Sequence, residues 1–179
     1  MPEVTFLTGN KVKFAIAEKI FREAEVLLHQ ADLDLPEMQS LSVEEVASHA
    51  ALAGCARLGR PVMKSDVGYY IDALNGFPGP FIKFVNQTLT AENLLALMAG
   101  QSNRTVRIRD CLALAVPGQA VRCFHFEYAG QIGHVARGEG TPINQVLYLD
   151  GSTTSLGEST SRQMLAFWVD HLQHYHELA

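Results

Sequence analysis

The stretch from Lys64 to Lys83, KSDVGYYIDALNGFPGPFIK, constrains the chain most. Asp66 follows a short apolar run, Pro61-Val62-Met63, and precedes an alternating Tyr69 and Ile71, a pattern that reads as a strand. Gly76-Phe77-Pro78-Gly79-Pro80 then excludes helix, because proline fixes φ and lacks the N–H that a regular element needs. The order puts a carboxylate, Asp66, at a strand end and a cation, Lys83, about one turn beyond a stiff loop. The first suits a cation and the second an anion.

The segment before it supplies a second such junction. Val4 to Leu7 reads as a strand, Thr8-Gly9-Asn10 as a tight turn, and Lys11 to Ala24 as a helix with apolar residues at Val12, Ile16 and Ile20. A strand, turn and helix in this order aim backbone N–H groups and the positive helix end at the turn, a natural anion site. Lys11 and Lys13 fall in the first turn, where the helix dipole favours acids, and a bound anion would explain them. Val26 to Leu28 reads as a second strand, and Pro36 keeps Asp32 to Glu37 extended, so Glu37 lies on a loop. Ser42 and Glu45 have capping-box spacing ahead of a stripe of Val43, Val46, Ala47, Ala50, Gly54 and Leu58.

Downstream, Thr90 caps a helix over residues 91–98 that Gly100 ends. Strand signals follow over residues 106–116 and 121–128, then on through Gly130 to Arg137. Asp110 interrupts the apolar face of its strand and reads as a strand-end or paired residue rather than a ligand. Gly138 to Ser161 is mostly polar, and a closing helix is expected over residues 159–177. His171, His174 and His176 read as its polar face rather than a metal site. Arg107 and Arg109 read as solvent or interface residues, while Tyr69 and Tyr70 fit either an interface or the core.

One domain over residues 1–179 is expected, a mixed α/β fold whose elongated, twisted sheet carries flanking helices and forms two lobes around a central cleft. The net charge of −5 argues against a duplex nucleic-acid partner, which normally meets a basic surface. Cys55, Cys111 and Cys123 are odd in number and lack zinc spacing, which fits a reducing cytoplasm. With no apolar run of membrane-spanning length and no leader-like N-terminus, a soluble, unprocessed, cytoplasmic protein without membrane partners is expected.

Taken together, Thr8-Gly9-Asn10-x-x-Lys13, Leu35-Pro36-Glu37 and the Asp66-to-Lys83 stretch resemble the inosine triphosphate pyrophosphatases, the Ham1-like proteins, in their TGNxxK, LPE and PGP(Y/F)IK motifs. The second half matches more loosely, through Arg137-Gly138, Asp150-Gly151 and Arg162. The resemblance implies Mg²⁺-dependent hydrolysis of noncanonical purine nucleoside triphosphates (ITP, XTP, dITP) to the monophosphate and pyrophosphate, by a homodimer. It implies metal binding by Glu37 and Asp66, catalysis by Asp66 and Lys13, and substrate binding by Thr8, Gly9, Asn10, Lys13, Lys83 and Arg162. Asp66 would be a metal ligand, a water-orienting base, or both.

The chain departs from the family pattern at Ser65 and Ile16, where acids are usual. It departs again at Thr141-Pro142-Ile143-Asn144, where an aromatic and an aspartate that hold the base are usual, and at Ser161, where a histidine is usual. Fewer carboxylates imply weaker metal binding, and the missing base contacts leave two rival readings. One is a catalytically impaired nucleotide-binding protein. The other is a hydrolase of a different phosphorylated substrate using the same cleft.

Overall fold

The computed structural model describes residues 1–159. The closing helix, the three late histidines and Arg162 therefore lie outside the described residues. Strand β1 (Glu3–Leu7) enters helix α1 (Lys11–Glu23) through the Thr8-Gly9-Asn10 turn, and β2 (Leu27–Ala31) returns parallel to β1. Helix α2 (Val43–Leu58) follows an extended loop, with the Ser42 side chain accepting from the Glu45 N–H at 3.3 Å. The box is one-sided, because the Glu45 carboxylate accepts from the Ser40 hydroxyl instead.

Strand β3 (Val62–Ile71) runs through a 3₁₀ turn at Asp72–Leu74 to a two-residue strand β4 (Pro78–Gly79), with the Phe77–Pro78 peptide cis. Short helices α3 (Ile82–Thr88) and α4 (Ala91–Leu97) precede the long β5 (Thr105–Ala115) and β6 (Arg122–Ile132). The chain continues through α5 (Pro142–Val146) and β7 (Leu147–Leu149) to a 3₁₀ turn at Leu156–Glu158. Thr90 and Asn93 form a complete capping box at α4. The sheet order is β2-β1-β3-β5-β6-β7, with β4 joined to β3; β1 is parallel to both its neighbours and the other pairings are antiparallel.

Two differences from the sequence reading follow from tertiary packing. Asp66 lies in the middle of a ten-residue strand, not at its end, because β5 pairs with β3 over the whole span from Val62 to Ile71. Helix α1 buries Ala17, Ile20 and Phe21, whereas Val12 is 60% exposed. The stripe of Val12, Ile16 and Ile20 is buried at its far end, but the sheet accepts a face turned away from Val12.

Three apolar clusters build the core. Phe6 of β1, Met63, Leu112 and Leu114 meet Ala17 and Phe21 of α1 on one face of the sheet. Val62, Cys111, Ala113 and Ala115 meet α2 through Val43, Ala47, Ala51 and Cys55 on the other. Farther along the same strands, Ile71, Val106 and Ile108 join Val85, Leu94, Ile143 and Val146 in a third cluster, against which Val67 and Tyr69 pack. Strands β3 and β5 thus pass from a lobe built by the first two clusters into a lobe built by the third. Residues 64–66 of β3 and Asp110 of β5 belong to none of the three.

Helix α2 comes close to the sheet because Gly54 has no side chain. A Cβ there would lie 2.4 Å from Leu7 Cδ1 and 3.2 Å from Val62 Cγ1. Gly54→Val is expected to lower stability by about 2 kcal/mol, the usual scale of overpacking, as measured by urea unfolding.

Candidate active-site cleft

The cleft arises from an interruption in strand pairing. On one edge β3 is paired with β5 without a break. On its other edge β1 pairs only at Val62 and Met63, and β4 only at Tyr69 and Tyr70. Between them the edge of β3 at residues 64–68 has no paired strand among the described residues, since β1 leaves the sheet at Leu7 into the Thr8-Gly9-Asn10 turn. Strand geometry then sorts the side chains, because alternate residues point to opposite faces.

Lys64 and Asp66 project on the α2 face and line one cleft with Thr8, Gly9, Asp32, Glu37 and Lys83. Leu33, Leu35, Pro80 and Phe81 form apolar parts of its wall. The turn and Asp32 approach closely there: a Cβ at Gly9 would lie 2.8 Å from an Asp32 carboxylate oxygen. Four elements therefore deliver the cleft: the β1–α1 turn, the loop before α2, mid-β3 and the first turn of α3.

Ser65 projects on the opposite face, where the Lys13 ammonium donates to its hydroxyl. Lys13 also lies 5.8 Å from the centroid of the Phe6 ring. The structure thus gathers Thr8, Gly9, Glu37, Asp66 and Lys83 and sets Lys13 behind β3. Burial lowers the Lys13 pKa; the charge of Asp110, 1% exposed on β5, opposes that shift. Asp110 stands opposite Val67 in mid-strand and contributes to the charge balance behind the cleft. It is not a strand-end residue.

The turn itself is partly self-satisfied. Asn10 N–H donates to Thr8 Oγ1 at 3.1 Å, and Lys13 N–H donates to Asn10 Oδ1 at 3.0 Å. Asn10 is therefore the N-cap of α1. The amides of Gly9, Lys11 and Val12 carry the remaining donors at this helix start.

Asp66 is the electrostatic centre of the cleft. Desolvation raises its carboxyl pKa to about 6; the charge of Lys64 pulls the other way, while Asp110 and Glu37 add to the rise. Its Oδ2 is buried without a hydrogen-bond partner among the described residues. A buried carboxylate oxygen of this kind, in a cleft with Glu37, fits a hard cation that would complete its coordination. No group of three or more His, Cys, Asp and Glu among the described residues is arranged to hold a metal. Two carboxylates do suit Mg²⁺, which keeps waters and shares phosphate oxygens rather than entering a full protein cage.

Tyr69 and Tyr70, ambiguous in sequence, divide between faces. Tyr69 packs on the third cluster, and burial pushes its hydroxyl up to about 12. Tyr70 donates to Leu41 O at 3.2 Å and stacks under the Arg109 guanidinium at 4.9 Å. Arg109 in turn pairs with Glu127 at 2.7 Å, and Arg107 pairs with Asp72 at 3.0 Å, so both arginines hold half-exposed surface ion pairs. The segment Thr141 to Asn144 starts α5, with Ile143 buried and its N–H donating to Asn86 Oδ1 at 3.2 Å.

A sequence model of the Ham1 family matches residues 4–165. The chain belongs to the Ham1 family. Among its relatives, the dITP/XTP pyrophosphatase of Methanopyrus kandleri is 35% identical over 87% of this chain and 84% of its own length. The corresponding enzyme of Methanothermobacter marburgensis is 36% identical over 87% and 83%. A HAM1 protein from Coxiella burnetii superposes with a TM-score of 0.83, at 21% identity and full coverage of both chains. The Staphylococcus aureus Ham1 protein does so at 0.80, with 20% identity and 98% coverage of each. The mixed sheet with flanking helices is thus the Ham1 fold, and no described helix is long and apolar enough to cross a membrane.

The raised Asp66 pKa makes a signed prediction for the metal-free protein. Its proton is held more tightly folded than unfolded, so the stability this proton contributes is complete below the model-peptide value of 3.8 and is lost as pH rises through about 6. Asp66→Asn should therefore be more stable than the parent at pH 8 by on the order of 2 kcal/mol, and no more stable at pH 3.5. Thermal unfolding in EDTA across that range checks it.

Proposed function

We propose that this Ham1 protein hydrolyses noncanonical purine nucleoside triphosphates of the ITP, XTP and dITP type to the monophosphate and pyrophosphate. The observation that carries the reading is the meeting of Glu37, Asp66, Lys83, Thr8 and Gly9 on one cleft, in a chain whose relatives are named dITP/XTP pyrophosphatases. Glu37 and Asp66 would hold Mg²⁺, which when bound neutralises phosphate charge and polarises phosphoryl oxygens.

The residues of the chain account for the rest of the reaction. Asp66, whose carboxyl pKa desolvation raises to about 6 in the metal-free protein, is ionised at neutral pH and serves as the base. It orients a water for in-line attack on the α-phosphorus and takes its proton as the new P–O bond forms. The bond from that phosphorus to the α,β-bridging oxygen breaks, and pyrophosphate leaves. Lys83 meets the phosphates from the rim, and the Thr8-Gly9-Asn10 turn meets them with its remaining amides. Lys13 acts through Ser65, holding positive charge behind the strand that carries Asp66. Arg162 is assigned to the nucleotide on the strength of its motif.

The protein is further read as a cytoplasmic homodimer, on the family pattern and a free-thiol composition. Steady-state assays of ITP, XTP, dITP and the standard nucleotides with Mg²⁺ test the activity. We expect pyrophosphate release from the first three at a kcat/KM at least tenfold above that for ATP or GTP. Asp66→Asn should lower kcat by about 100-fold or more, and Glu37→Gln should raise the Mg²⁺ concentration needed for half-maximal rate. Full activity in Asp66→Asn would refute the mechanism.

A further inference from the structure

Lys64 has no part in the motifs that identify the family, yet it stands in the middle of the cleft. It lies two residues before Asp66 on the same face of β3, within the edge that neither β1 nor β4 covers. Two strand residues span about 7 Å, close to the reach of a lysine side chain, so the Lys64 ammonium sweeps the space beside the Asp66 carboxylate. It is half-buried and makes no hydrogen bond or ion pair with any described residue. Every described arginine except Arg60 and Arg122 is bound to a carbonyl or a carboxylate. A half-buried, uncommitted cation in a cleft therefore needs an account.

Charge in the cleft supplies one. Its described carboxylates are Asp32, Glu37 and Asp66, and its described cations are Lys64 and Lys83. A polyphosphate entering here meets more fixed negative than positive charge, even though its own charge is negative. Lys83 is exposed at the rim on α3, and Lys13 is engaged behind the strand by Ser65. Lys64 alone among these lysines is on the floor of the cleft beside Asp66. Its charge already favours the ionised form of Asp66 and disfavours that of Lys13, which places it close to both.

We propose that Lys64 is a phosphate-binding residue of this site, contacting the polyphosphate of the bound substrate from the β3 floor next to Asp66. The proposal rests on the nucleotide pyrophosphatase reading for its substrate, but not for its ligand chemistry. A lysine is suited to the task as a compact point charge with three donors on a flexible stem. Arginine retains the charge and should substitute in part.

Lys64→Gln and Lys64→Arg test it in two assays. In turnover of ITP with Mg²⁺, Lys64→Gln should lose about 100-fold in kcat/KM and Lys64→Arg less than tenfold, at unchanged thermal unfolding temperature. In calorimetry with inorganic tripolyphosphate and no metal, the parent should bind and Lys64→Gln should bind at least tenfold more weakly. The second assay separates the two readings, because a parent that binds tripolyphosphate through Lys64 but hydrolyses no nucleotide overturns the activity and leaves the site. Equal tripolyphosphate affinity in parent and Lys64→Gln overturns the site, as does a parent that does not bind it. A loss of turnover in Lys64→Gln with unchanged tripolyphosphate binding also overturns it, by making Lys64 a counterion of Asp66 only.

Discussion

The unequal pairing of β3 is the constraint on which the rest of the structure depends. One edge is locked to β5 over ten residues, which fixes the register and hence the face of every side chain from Val62 to Ile71. The other edge is covered at both ends and open in the middle. A polar residue in the centre of a sheet normally costs the desolvation of its charge. Here Lys64, Ser65 and Asp66 fall where the apolar clusters of the two lobes stop, so the cost is reduced by geometry and what remains appears as the raised pKa of Asp66.

The same strand divides the charged groups into two sets. Lys64 and Asp66 face α2 and the loop carrying Glu37; Ser65 and Asp110 face α1 and Lys13. A thin partition of backbone separates two layers of alternating charge. Charge on the Lys13 side therefore acts on Asp66 across the strand.

Much of this is legible in the sequence. The β1–α1 junction, the Glu37 loop and the α4 cap each rest on local chemistry, such as a turn triplet, a proline or a capping pair, and each holds in the structure. What was hidden depends on distant partners. Asp66 reads as a strand end because it follows the short apolar run Pro61-Val62-Met63, and only the ten-residue pairing with β5 makes it mid-strand. Lys64 carries no motif, although its i, i+2 spacing from Asp66 is a signal that both share a face. Lys13 matched a motif, but its side chain follows α1 to the far face, and the periodicity of a helix does not say which way the helix is rolled against a sheet.

An open edge has a consequence beyond ligand binding. Unpaired strand edges are templates for other strands, and a chain that leaves one exposed risks adding a foreign strand and aggregating. In this protein the vulnerable run is five residues long and carries a lysine and an aspartate. It is flanked by the β1–α1 turn on one side and by the proline of β4 on the other. An intruding strand would have to bury both charges and would find no continuous ladder to join. The charges that line the gap thus also guard it against another polypeptide.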